Sequence, residues 1–74
     1  MRRFEDEEGD VWDAVVGRES WGAVVALFVP RSGSGPARQA SIPANGYEEA
    51  TAWMESCPDE ELRARLAEST EKTG

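Results

Sequence analysis

Three carboxylates at alternate positions, Asp6, Glu8 and Asp10, surround Gly9 in the stretch "FEDEEGD" near the start of this 74-residue chain. Alternating oxygen ligands of this kind can bind a hard cation such as calcium. An EF-hand loop, however, also needs glycine at the sixth position and a bidentate Glu at the twelfth. Setting Gly9 sixth puts Phe4 first, where a carboxylate is required, so the calcium-loop pattern fails. A solvated turn accounts for the same acids, because Asp and Gly are residues that reverse a chain, and no metal is assigned here.

Anion binding is the second chemistry to weigh. The "SGSG" run, residues 32 to 35, could present backbone amides to a phosphate, and Arg31 and Arg38 flank it. A P-loop would continue into Lys and a helix, whereas this segment continues into a pattern that reads as a strand. Arg18, Arg31 and Arg38, with Trp21 as a stacking platform, could instead serve a small anion or a single-stranded nucleic acid. The segment from Trp21 to Asn45 carries two Arg and no acid, which favours that reading locally. The net charge of -7 opposes it globally, since broad phosphate binding depends on clustered Lys and Arg. Nucleic acid is therefore disfavoured as a partner.

Covalent catalysis finds little support. Cys57 is the single cysteine and there is no histidine, so the thiol lacks its common general base and the usual zinc ligand sets are missing. The serines meet the same objection, and the one lysine, Lys72, stands near the end of the chain. Paired carboxylates can act as acid and base only inside a cleft. Neither an enzyme nor a cofactor is expected.

The elements that would hold these residues can be read from periodicity and turn chemistry. Asp6 and Gly9 fit the first and fourth positions of a type I turn, with Gly9 taking a positive φ in a three-residue hairpin loop. Pairing Asp6 with Asp10 then sets Glu5 opposite Val11, Phe4 opposite Trp12 and Arg3 opposite Asp13. That register gives an aromatic pair on one face and an ion pair on the other. The closing pair of acids is its weak point. The spacing of Phe4, Asp6, Gly9 and Trp12 resembles an opening hairpin of small bacterial proteins, a likeness over about nine residues that implies no activity.

A second turn is expected at 17–20, followed by a third strand in "WGAVVALFV", apolar at nearly every position, as in a strand that is buried on both faces or central in its sheet. The loop from Pro30 to Pro36 leads to a fourth strand in "ARQASI". From Asn45 the period becomes helical: Asn45 and Glu48 resemble a capping box, and Tyr47, Ala50, Trp53, Met54 and Cys57 share one face. Pro58 suits the first position of a second helix, whose acids at 59–61 complement its dipole and whose Leu62 and Leu66 form a narrow stripe. The expectation is one α+β domain over residues 1–70, a four-stranded antiparallel meander with two C-terminal helices on one face, and a frayed tail at 71–74. Trp12 and Trp53 are assigned to the core; Trp21 is assigned to the core or to the sheet margin.

Two helices can cover one face of such a sheet, yet the third strand is apolar on both. If Val16 faces Trp21, then Ala23, Val25 and Leu27 join Phe4 and Trp12, leaving Val24, Ala26 and Phe28 beside Val11 and Val15. A slip by one residue exchanges the two sets. Either way a second apolar patch remains, and such patches usually mark interfaces. Val11, Val15, Val24, Phe28 and Trp21 are thus the candidate interaction surface, for a protein partner or a second copy in a homo-oligomer. Chains this short also tend to need a partner, a metal or a disulfide for comfortable stability. The longest apolar run, from Gly22 to Pro30, is too short to cross a bilayer, and the chain opens on no signal-like segment. No membrane association and a cytoplasmic location are expected.

Overall fold

In a computed structural model, which describes residues 1–18, 22–31 and 35–71, the chain forms a five-stranded antiparallel sheet with two helices. The strands are β1 (Arg2–Glu5), β2 (Val11–Arg18), β3 (Val24–Pro30), β4 (Arg38–Ser41) and β5 (Thr70–Glu71), with α1 (Tyr47–Ser56) and α2 (Asp59–Glu68) between the last two. Spatial order follows chain order, so the first four strands are a meander and β5 joins the far edge beside β4.

The opening hairpin has the expected register, Phe4 opposite Trp12 and Arg3 opposite Asp13. Asp6 N–H donates to the Asp10 carbonyl at 2.9 Å, Gly9 N–H donates to the Asp6 carbonyl at 3.1 Å, and Gly9 takes φ +88°. A Cβ would strain that left-handed backbone. The weak closing pair is resolved by the Asp6 side chain, which turns inward. Its Oδ1 accepts the backbone N–H groups of Glu8 and Asp10, each at 2.9 Å.

The second connection differs from expectation. Gly17 is not a turn residue but a member of β2, opposite Val25, and Val16 faces Ala26 rather than Trp21. The displacement is odd in residues, so the faces exchange: Val24, Ala26 and Phe28 join Phe4 and Trp12. The bulkiest apolar side chains thereby meet under the helices. Phe28 and Phe4 pack edge to face, with ring centroids 5.9 Å apart, near the small, fully buried Ala14. Ile42, Ala50, Met54, Cys57 and Leu62 complete this core.

The helices depart from the expected caps in detail. Gly46 occupies the N-cap of α1, and the side chain that folds back is Glu49, whose carboxylate accepts Asn45 N–H at 2.8 Å. Pro58 is the N-cap of α2 rather than its first turn, with Asp59, Glu60 and Glu61 following. Trp12 and Trp53 both pack against the core but remain half-buried. Tyr47, counted on the apolar face of α1, is 46% exposed, and the Arg18 guanidinium lies 4.6 Å from its ring centroid.

Two arginines pin the layers together. Arg2, opposite Ala14 on the helix-facing side of β1, donates to the carbonyls of Met54 at 3.0 Å and Cys57 at 2.7 Å, and to Asp59 Oδ1 at 2.6 Å. It therefore caps the C-terminus of α1 and reaches the first turn of α2, as the helix dipoles favour for a cation and an acid respectively. Arg38 donates to the Ser69 hydroxyl at 2.7 Å and the Ser69 carbonyl at 2.6 Å, at the point where α2 gives way to β5. Glu71, expected in a frayed tail, accordingly pairs with Arg38 in the sheet.

Candidate functional site

Alternation along the strands sends Val11, Val15, Val25, Leu27 and Val29 to the face away from the helices. The first four are half-buried, while Val29 is 45% exposed. Leu27 lies across Gly17: a Cβ added at Gly17 would fall 2.6 Å from Leu27 Cδ1. The glycine thus lets the leucine spread flat over the sheet instead of standing out from it.

One end of this face is polar and charge-balanced. Asp13, a buried carboxylate, accepts from Arg3 Nε at 3.2 Å and from Arg31 Nη1 at 3.4 Å. Arg3, Glu5, Asp13 and Arg31 together contribute no net charge, on a chain whose total is -7. The acids that dominate the molecule lie elsewhere, on the turn and the helices.

Of the expected interaction residues, the structure places Val11 and Val15 on this open face. Val24 and Phe28 are moved off it: they are 9% and 0% exposed, in the core beneath the helices. The odd shift in the β2–β3 register is the cause, and it substitutes Val25, Leu27 and Val29. Trp21 lies outside the described residues.

The three arginines proposed for anion contact do not converge. Arg18 stacks on Tyr47 on the helix side, Arg31 belongs to the Asp13 cluster of the open face, and Arg38 is turned to Ser69. Residues 32–34 of the glycine-serine loop lie outside the described residues.

In the opening turn, carboxylate oxygens of Asp6, Glu8 and Asp10 lie within 4.8 Å of one another. Asp6, however, already accepts three N–H groups, two from the backbone and one from Trp12 Nε1 at 2.9 Å. The indole hydrogen bond, followed by those from the backbone, holds its carboxyl below the ordinary value of 3.8, against some loss of solvation. These acids organise the hairpin. Cys57 is buried at the C-cap of α1, and burial pushes its thiol above the ordinary cysteine value despite the nearby Arg2. A protonated, enclosed thiol suits packing rather than nucleophilic attack.

A feature that sequence reading missed lies at the far side of the opening turn. Between that turn and α2 runs a groove of about 540 Å³, with Trp12 and Arg38 from the sheet and Arg63, Leu66 and Ala67 from α2 among its lining residues. It draws on three separate elements, so spacing along the chain could not reveal it. The one available signal was Trp12, whose partner in the hairpin was legible but whose half-exposed flank was not.

The fold is α+β, and among the described residues no helix is long and apolar enough to cross a membrane. Comparison with models of protein families, with curated proteins and with solved structures returned no match.

Proposed function

We propose that the protein is a non-catalytic interaction module whose binding surface is the open sheet face, and that the occupant of this face is the same face of a second copy. The observation that carries this reading is the row of Val11, Val15, Val25, Leu27 and Val29 with no layer of the described chain against it. Sheets commonly bury both faces when both are apolar, and face-to-face packing at about 10 Å is an ordinary way to do so.

Two further observations favour a second copy. The Cα extents of 31 × 28 × 18 Å suit a sheet with a single helical layer, and leave a broad side comparable to the ~800 Å² per partner of a standard interface. The face is also locally neutral on a strongly acidic chain, so two copies can approach there without the repulsion their total charge would bring elsewhere.

Sedimentation velocity tests this. The wild type is expected to sediment as a dimer at micromolar concentration, and Val29→Asp as a monomer with an unchanged far-ultraviolet circular dichroism spectrum, because Val29 lies outside the buried core and the new acid, set opposite Asp13, joins a carboxylate that already has Arg3 and Arg31 as partners. A wild-type monomer at millimolar concentration, or a dimer indifferent to Val29→Asp, would overturn the proposal.

A further inference from the structure

The groove between the opening turn and α2 lies on the helix side of the sheet, away from the open face, and its chemistry is different. We infer that it binds a short peptide segment bearing Lys or Arg side chains. Its volume, about 540 Å³, is within the range of sites that enclose small ligands or a few residues of chain.

The groove offers an aromatic platform held in place. Trp12 is half-buried, and the hydrogen bond from its indole N–H to Asp6 fixes the ring's orientation before any ligand arrives. Leu66 and Ala67 of α2 add apolar wall. A Lys or Arg side chain suits such a surface, since its methylene stem packs on the apolar part and its cation is attracted to an indole face.

The groove is acidic on balance. Asp6, Glu7 and Glu8 of the turn and Glu60 of α2 outnumber Arg38 and Arg63, none of the six is in an ion pair among the described residues, and Glu7, Glu8 and Glu60 are exposed. Arg38 and Arg63 also line the groove, but each is engaged by protein oxygens: Arg38 by Ser69, and Arg63 by the Glu5 carbonyl at 3.1 Å. The remaining N–H groups of these two arginines match the carbonyl oxygens of a peptide backbone. A peptide supplies both cations and carbonyls; a polyamine supplies cations alone.

The test is an NMR titration, following the indole N–H resonances with Trp12→Phe used for assignment, and an acetylated, amidated Arg-Leu-Arg peptide as the probe. The expected result is a saturable shift of the Trp12 resonance that weakens as salt is added. Exposed pairs contribute modestly, so the double variant Glu8→Gln/Glu60→Gln is expected to bind about tenfold more weakly. Val29→Asp is expected to bind as the wild type does, which separates this site from the open face. Binding of the Glu-Leu-Glu counterpart as tightly as the basic peptide would mean that Arg38 and Arg63 set the sign, and would overturn the inference. Equal binding of spermidine, or an affinity unchanged in the double variant, would do the same. The peptide comparisons use the wild-type protein and stand even if a variant fails to fold.

Discussion

Replacing Arg2 by Met removes a cation from the junction of β1, α1 and α2 while keeping a flexible, unbranched apolar stem in its place. Arg2 donates to two carbonyls at the end of α1, that of Met54 in its final turn and that of Cys57 at its C-cap, and to the Asp59 carboxylate. Hydrogen bonds from charged groups contribute about 1.5–3 kcal/mol when well shielded. The Arg2 side chain is 24% exposed, so about 1 kcal/mol for each carbonyl contact is the appropriate scale. Asp59 is 51% exposed, and its ion pair adds at most about 0.5 kcal/mol. The sum, about 2–2.5 kcal/mol, corresponds to a fall of roughly 8–20 °C in Tm for a domain of this size. Thermal unfolding followed by circular dichroism measures it. The comparison belongs at fixed protein concentration, or in the Val29→Asp background, because self-association raises Tm by mass action. Asp59→Asn is the control, expected to shift Tm by less than about 4 °C. A shift that small for Arg2→Met would show that the carbonyl contacts do not hold the layers together, and a loss in Asp59→Asn equal to that in Arg2→Met would assign the effect to the ion pair instead.

The close approach of Leu27 to Gly17 gives a signed prediction: Gly17→Ala is expected to destabilise by about 1 kcal/mol in the wild type, yet to be neutral or stabilising once Leu27→Ala has cleared the space. Urea unfolding of the four members of that cycle measures the coupling, and additive effects would refute the proposed contact. The depressed carboxyl of Asp6 predicts an acid limb. Its contribution to stability is fully present above the ordinary value of 3.8 and is lost as pH falls through the lower, folded value. Asp6→Asn, which keeps an acceptor but does not titrate, is therefore expected to lose less stability than the wild type as the pH falls through the folded value of that carboxyl. Parallel urea midpoints in the two proteins would contradict it.

Much of the fold was readable along the chain because its signals are local. A turn whose first Asp and fourth Gly satisfy its own geometry set the opening register to the residue, and the change from a period of two to a helical period near Asn45 marked where the sheet ends. The candidate surface was legible only in kind. An apolar run without alternation, as in β3, states that both faces are apolar and cannot state which one the helices cover. That choice exchanged Val24 and Phe28 for Val25, Leu27 and Val29.

Composition and local pattern alone determined the class of this chain: an acidic α+β fold, without histidine, whose opening hairpin is specified by Phe4, Asp6, Gly9 and Trp12. Those properties depend on residues within a few positions of one another, where backbone geometry leaves few alternatives. Only the tertiary structure decided the rest, because each remaining feature joins residues distant in the chain. Gly17 became a strand residue once Leu27 lay across it, Arg2 became a helix cap once α1 ended beside it, and Arg38 became the anchor of a fifth strand through Ser69. The groove beside Trp12 exists only because α2 returns to the opening turn, and the open valine face exists because packing Phe28 against Phe4 committed the helices to the opposite side.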